Sequence, residues 1–174
     1  METRGTIDSL EGFYEQYRNL IYGYIYRSTG NHDVADDLTQ ETFYQACKTI
    51  YRFQNASSVK TWLYGIAKNV LCNYYRKSVR IRTIPMDDTQ FHDNALTPLD
   101  VYIQKWRSDL VVKTLSKLDQ RYSTVLILRE MEGLSYEEIS SIMKINVSTL
   151  RSICHRAKLR FVREYLIMEA QSDE

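Results

Sequence analysis

Hydroxyl-bearing and cationic side chains alternate along one short stretch near the C-terminal end of the chain. The six side chains concerned are Ser148, Thr149, Arg151, Ser152, His155 and Arg156. Groups of these types donate hydrogen bonds to phosphate oxygens and to base edges in the major groove of duplex DNA. Apolar residues recur at helical spacing on the other side of the same stretch, at Leu150, Cys154, Ala157 and Phe161. The pattern predicts a helix with one face in a core and the other available to nucleic acid.

The residues before this stretch predict a tight turn between two short helices. Ser135 and Glu138 have the spacing of a capping box, in which each side chain satisfies a free backbone donor near the other. Asn146 is a second predicted N-cap, and Lys144 falls at the turn between the helices. Two helix starts this close predict a helix-turn-helix. On charge alone, a solvated basic face on an ordinary helical hairpin stays open as an alternative.

Charge is segregated along the chain although the net charge is only +1. Positions 28–47 contain acidic residues and no lysine or arginine, whereas positions 60–85 and 144–163 contain basic residues and no acid. Such segregation predicts two contacts with a polyanion and a separate contact with a basic partner.

The sequence offers no group of residues that could carry catalysis. Three cysteines and three histidines are widely spaced, which argues against a disulfide framework or a zinc site and favours a reducing compartment. The N-terminus lacks a signal pattern, and no apolar run is long enough to span a membrane. We therefore expect a cytoplasmic protein without direct membrane insertion, with no catalytic residue, no metal and no cofactor.

Helical periodicity covers most of the chain, and glycine and proline are scarce. The predicted helices run from about Ser9 to Ser28, from an N-cap at Asp33, from a cap at Ser57 or Ser58, and from about Leu99 onward. The stretch 83–98 holds both prolines and lacks periodicity, which is typical of a linker. The predicted fold is all-α, with two small helical domains joined by a flexible linker.

The predicted third helix combines cations with aromatic residues, at Trp62, Tyr64, Tyr74 and Tyr75. Bases stack on aromatic rings while cations follow phosphates, so this composition suits single-stranded nucleic acid. The alternative is that the aromatic side chains belong to the core, which we favour for Trp62.

Four stretches together resemble an extracytoplasmic-function (ECF) sigma factor of bacterial RNA polymerase. They are "DVADDLTQETFYQA", "RFQNASSVKTWLYGIAKNVLCNYYRK", "LDQRYSTVLILREMEGLSYEEIS" and "NVSTLRSICHRAKLRF". The resemblance implies sigma region 2 over 1–82, a linker over 83–98 and sigma region 4 over 99–174. Region 2 would bind core polymerase and recognise and melt the minus-ten promoter element, and region 4 would read the minus-thirty-five element.

The resemblance also assigns residues and partners. Core RNA polymerase would be bound by Asp36, Asp37, Gln40 and Glu41. The minus-ten element would be bound by Gln54, Asn55, Ala56, Ser57, Ser58, Lys60, Asn69, Asn73, Arg76 and Lys77. The minus-thirty-five element would be read by the six residues between 148 and 156 named above. Promoter DNA and an anti-sigma factor are the other implied partners.

Three positions depart from the family pattern. Lys144 stands where the turn usually has glycine, Asn73 where the family usually has aspartate, and Ile153 where it usually has a cation. Two rival functions are a stand-alone helix-turn-helix transcriptional regulator, which would not need the acidic second helix, and a nucleic-acid enzyme. The enzyme would require a metal cluster or a nucleophile with its base, and the sequence suggests neither.

Overall fold

The structure is a computed structural model that describes residues 10–53, 57–81 and 100–172. Its seven α-helices are α1 (Leu10–Thr29), α2 (His32–Thr49), α3 (Val59–Ile81), α4 (Asp100–Lys117), α5 (Gln120–Leu126), α6 (Tyr136–Met143) and α7 (Val147–Ser172). A 3-10 turn follows α2 at Ile50–Arg52, and a wide π turn at Ile127–Met131 continues α5. These ranges contain no strand, so the all-α prediction is confirmed. The predicted linker, 83–98, lies outside the described residues.

Side-chain caps fix where α2 and α3 begin. The Asn31 side-chain oxygen accepts the backbone N–H of Val34 at 3.0 Å, so Asn31 is the N-cap of α2. The prediction that Asp33 caps this helix was wrong, and Asp33 lies in the first turn, where its charge suits the positive end of the helix dipole. At α3, Ser58 Oγ accepts the backbone N–H of Thr61 at 3.1 Å, as expected for the N-cap.

Helices α1, α2 and α3 pack together around buried aromatic and aliphatic side chains. Tyr64 of α3 is fully buried and meets Tyr24 of α1 edge to face, with ring centroids 5.4 Å apart. The Tyr75 hydroxyl donates to the carbonyl of Ser28 at 2.6 Å. Trp62 packs against the same cluster. The core alternative therefore holds for these aromatic residues of α3, and base stacking is not their role in this conformation.

The helix-turn-helix of the C-terminal half is confirmed in α6 and α7. Ser135 Oγ accepts the backbone N–H of Glu138 at 3.1 Å, and Glu138 accepts the backbone N–H of Ser135 at 2.8 Å, which completes the capping box. Lys144 ends α6 in the left-handed region, with φ 57° and ψ 43°. The Asn146 side chain then accepts the backbone N–H of Thr149 at 2.8 Å and starts α7.

The two halves are in direct contact. Helix α1 packs on α4, α3 packs on α6, and buried residues from both halves form one hydrophobic cluster. Gly30 has a φ of +67°, and a Cβ atom there would lie 3.4 Å from Ser116 Oγ of α4. Glycine allows both this backbone conformation and the close approach of α4. None of the helices in the described ranges is long and apolar enough to cross a membrane.

Candidate nucleic-acid interface

The six predicted side chains on the first three turns of α7 form one surface. Five are exposed and Thr149 is half-buried. Their opposite face is anchored, because Leu150, Cys154 and Ala157 are all buried. The start of the surface is held by Asn146, whose side chain also accepts a hydrogen bond from the Ser148 hydroxyl at 2.8 Å. Rigid backbone and exposed donors are what a helix needs to read a groove.

An aromatic ring that the sequence analysis missed lies beside this surface. The guanidinium carbon of Arg151 is 5.4 Å from the centre of the Tyr136 ring, and that of Arg129 is 4.5 Å from it. Arg129 is itself held by a hydrogen bond of 2.7 Å to the carbonyl of Leu134. These are cation–π distances, so Tyr136 restricts the positions that Arg151 samples. Tyr136 is the first residue of α6, and no local sequence pattern indicated that it would lie beside Arg151.

Ile153 does not lie on the surface that is predicted to face DNA. It is 3% exposed and belongs to the hydrophobic cluster. Because the family usually has a cation at this position, isoleucine was expected to remove one contact with a phosphate. In this conformation the side chain at position 153 faces the core, so isoleucine adds buried apolar surface there. A lysine or arginine could bury a similar apolar surface only by extending its charged end to water.

The acidic residues of α2 form a second exposed surface. Asp37, Gln40 and Glu41 are exposed, and Glu41 accepts a hydrogen bond from Gln45 at 2.6 Å. Asp36 is half-exposed and pairs with Arg18 of α1 at 3.1 Å, so part of its charge is already balanced. The surface is available to a basic partner, with the exposed carboxylates of Asp37 and Glu41 at its edge.

The predicted minus-ten residues are divided over three places. Gln54, Asn55 and Ala56 lie outside the described residues. Ser57 and Ser58 sit at the start of α3, where Ser58 acts as the cap. The exposed residues farther along α3 are Asn69, Asn73, Arg76 and Lys77. The structure therefore places these four residues of α3 near one another and does not describe the residues at positions 54–56.

A groove of about 630 Å³ runs between α2 and α3. Its lining includes Asn69, Asn73 and Lys77 from the predicted minus-ten set and Glu41 from the predicted polymerase-binding set. Amide and ammonium groups beside an apolar floor offer hydrogen-bond donors and acceptors to a polar ring. The two predicted sites thus share one groove, a relation that linear sequence did not indicate.

Lys60, the remaining predicted minus-ten residue, is engaged with the C-terminal half. Its ammonium donates to the backbone carbonyl of Glu132 at 3.3 Å. The Glu132 carboxylate accepts hydrogen bonds from Arg27 of α1, at 2.5 Å, and from the Tyr64 hydroxyl of α3. Burial, followed by the neighbouring Glu132 carboxylate, raises the pKa of the Tyr64 hydroxyl and keeps it protonated as a donor. No pattern in the sequence indicated that Arg27, Tyr64 and Glu132 would lie together.

No metal site is formed by the residues that the structure describes, since no three His, Cys, Asp or Glu side chains cluster there. What the described surfaces offer is hydrogen bonding and charge: a cationic helix face, a polar groove and an acidic helix face.

Comparison with known proteins identifies the family of the chain. The Sigma-70 region 2 model matches residues 13–81 and the Sigma-70 region 4 model matches residues 108–161. The RNA polymerase sigma factor YlaC of Bacillus subtilis is 34% identical over 154 residues, covering 87% of this chain and 89% of the relative. The ECF RNA polymerase sigma factor SigM of Bacillus subtilis is 31% identical over 162 residues, covering 92% and 95%.

Solved structures show the same fold at lower identity. The sigma factor RpoE in complex with the anti-sigma factor NepR from Bartonella quintana has a TM-score of 0.72 at 23% identity, covering 88% of this chain and 94% of that one. CnrH in complex with the cytosolic domain of CnrY has a TM-score of 0.64 at 20% identity, covering 95% and 91%. With both family models in order and relatives matched over nearly their whole length, this chain belongs to the ECF family of RNA polymerase sigma factors, which direct transcription initiation.

Proposed function

We propose that the chain binds core RNA polymerase and gives it promoter specificity through three surfaces. The acidic face of α2 binds the polymerase, the groove and start of α3 bind the minus-ten element, and the first turns of α7 read the minus-thirty-five element. In this assignment 1–82 acts as region 2 and 99–174 as region 4, joined by the linker 83–98. The family models support this division, since they match within both ranges.

The observation that carries the proposal is the exposed donor face of α7 on a fixed, buried anchor. Arg151 and Arg156 are exposed together with three shorter donors, while the opposite face of the helix lies in the core. A side chain such as Arg can bond both acceptors of a guanine in the major groove, which discriminates against other bases by about 1–3 kcal/mol. The remaining cations supply contacts to phosphates, which position the helix without reading sequence.

Core polymerase, promoter DNA and an anti-sigma factor are the partners we propose. The chain performs no chemistry itself, since the polymerase synthesises RNA, and it acts in the cytoplasm, where bacterial polymerase works. Of the two solved structures named above, one is bound to an anti-sigma factor and the other to the cytosolic domain of CnrY. Their fold supports an anti-sigma partner for this chain without identifying it.

The test is reconstituted transcription. Purified chain is mixed with bacterial core polymerase and a genomic promoter library, and the 5′ ends of the transcripts are sequenced. We expect binding to core and a shared pair of sequence elements upstream of the start sites. Binding to duplex promoter DNA without polymerase, together with no binding to core, would instead support a stand-alone regulator.

A further inference from the structure

Glu132 forms the polar centre of the contact between the two halves. Its carboxylate is only 10% exposed and is bonded on one oxygen by Arg27 and on the other by Tyr64. Lys60 bonds the backbone carbonyl of the same residue. The π turn that ends at Met131 closes with the N–H of Glu132 bonded to the carbonyl of Ile127 at 2.9 Å, which fixes where this carboxylate emerges. One C-terminal residue therefore joins three N-terminal side chains.

Further polar contacts surround this centre. The Thr61 hydroxyl lies 3.3 Å from the Glu138 carboxylate, and the Gln120 amide lies 3.3 Å from the sulfur of Cys72. All of these groups can return to water if the halves separate, so opening does not strand a buried charge. Interfaces between domains of one chain are typically of this mixed, reversible kind. Opening would also expose the apolar side chains that the two halves share, so the polar centre sets the balance together with that apolar contact.

The closed arrangement is too short for a promoter. Helix α3 packs on α6 and α6 packs on α7, so two helix spacings, about 20 Å, separate the proposed minus-ten and minus-thirty-five surfaces. Elements centred about 25 base pairs apart lie about 85 Å apart along duplex DNA at about 3.4 Å per base pair. The chain cannot contact both elements while α3 and α6 touch. Lys60, assigned to the minus-ten element, is also occupied by Glu132 in this state.

We propose that Glu132 is a latch that holds region 4 against region 2 and keeps the free chain from engaging a promoter. The proposal rests on the proposed function, and it names Arg27, Lys60 and Tyr64 as the surface that receives the latch. Promoter engagement requires the Glu132 contacts to break, and core polymerase supplies the competing surfaces. The fraction of molecules in the closed arrangement then determines the protein concentration that initiation requires.

The first test compares Glu132→Gln with Glu130→Gln. The two residues lie two positions apart, but Glu130 is half-exposed and pairs with Lys158 of the same half at 2.9 Å. Small-angle X-ray scattering reports opening of the free chain, and promoter-directed transcription is titrated with each variant. We expect Glu132→Gln to enlarge the radius of gyration and to lower the half-maximal concentration about tenfold, as loss of a charged hydrogen bond would. Glu130→Gln should match the parent chain in both measurements.

The second test locks the contact. Gln120→Cys, made in a Cys47→Ser chain to remove the exposed thiol, is joined to Cys72 by a short bis-methanethiosulfonate, which forms a reducible disulfide with each thiol and releases methanesulfinate. The cross-linked chain should lose promoter-directed transcription at least tenfold and regain it on reduction. The same reagent on the Cys47→Ser chain without Gln120→Cys should have no effect.

The outcomes separate the latch from the function it regulates. If the parent chain does not direct transcription at all, the proposed function fails, and the scattering result still shows whether Glu132 holds the halves together. If the parent chain is active and the locked chain is equally active, the latch is wrong. A Glu132→Gln chain that stays as compact as the parent would also overturn it.

Discussion

The two proposed DNA-binding regions are built in different ways. The surface for the minus-thirty-five element lies on nine consecutive positions, 148–156, of one helix, and its caps and anchors are within a few residues of it. The surface for the minus-ten element combines, among the described residues, the start of α3 and a groove between α2 and α3, and one of its members, Lys60, is bonded to the opposite half. The first is complete in the free chain, whereas the second depends on where the other half is.

This difference separates a fixed reader from a conditional one. Duplex DNA can be read by a rigid helix without change in the protein. Promoter melting requires a base to be extruded from the duplex, and the extrusion costs a few kcal/mol. A pocket for that base is therefore needed only when the protein is bound to a promoter. We therefore expect variants on the exposed face of α7 to affect reading of the minus-thirty-five element alone, variants on the acidic face of α2 to affect polymerase binding, and variants at caps and turns to affect folding.

The largest effect should come from Arg151→Ala. Removing this guanidinium should weaken use of the minus-thirty-five element by about 2 kcal/mol, roughly thirtyfold, because a bidentate base contact is lost. Transcription from promoters with intact and scrambled upstream elements measures this loss, and core binding should be unchanged. Arg163→Ala, which removes an exposed cation farther along the same helix, is the control. Equal loss of core binding and upstream-element use would show that Arg151 has no specific role in reading DNA.

A smaller effect is expected from Asp37→Lys on the acidic face of α2. Because Asp37 is exposed, the charge reversal should leave folding intact and weaken core-polymerase binding roughly tenfold. The matched control is Glu15→Lys, which reverses an exposed acidic residue on α1. Binding measured by titration with labelled core decides the point. Unfolding of the Asp37→Lys chain would mean that this residue has a structural role.

Glu138→Gln should affect the stability of the reader itself. The backbone N–H of Ser135 and then its hydroxyl lower the pKa of the Glu138 carboxyl from its ordinary value. Because the pKa of Glu138 is lower in the folded state, its carboxylate stabilises the fold at pH values above the pKa of the unfolded chain. This stabilisation is lost as the pH falls through the pKa of the folded chain. The variant should lose about 1 kcal/mol of unfolding free energy at neutral pH.

Denaturant unfolding from about pH 6 to about pH 3 measures this effect, and the variant should lose less stability than the parent over that window. Glu137→Gln, which changes the exposed neighbour in the same first turn, is the control. An unchanged acid dependence in Glu138→Gln would mean that the capping box does not contribute to stability.

The smallest effect has the opposite sign. Lys144→Gly should raise the free energy of unfolding by about 0.5 kcal/mol, because a left-handed backbone is strained for a residue with a Cβ atom. Lys144→Ala keeps the Cβ atom and should give no such gain. Equal stabilisation by both variants would assign the effect to loss of the lysine charge instead.

Local signals explain which parts could be predicted. The Ser135–Glu138 box, the turn at Lys144 and the donors of α7 lie within about one helical repeat of their partners, so their sequence spacing was sufficient. The position of Tyr136 beside Arg151 depends on how α6 crosses α7, and the groove shared by Glu41 and Asn73 depends on how α2 lies on α3. The Arg27–Glu132 pair spans 105 positions, and no local pattern connects its members.

That separation also has a consequence during synthesis. Ribosomes add about 5–20 residues each second, so Glu132 is made roughly 5–20 s after Arg27. N-terminal segments begin to fold during synthesis, and contacts between distant residues form late because closing a long loop costs entropy. Each new chain thus has its polymerase-binding half before it has the residue that closes it. A nascent chain emerging near free core polymerase meets that partner with Arg27 and Lys60 still in water.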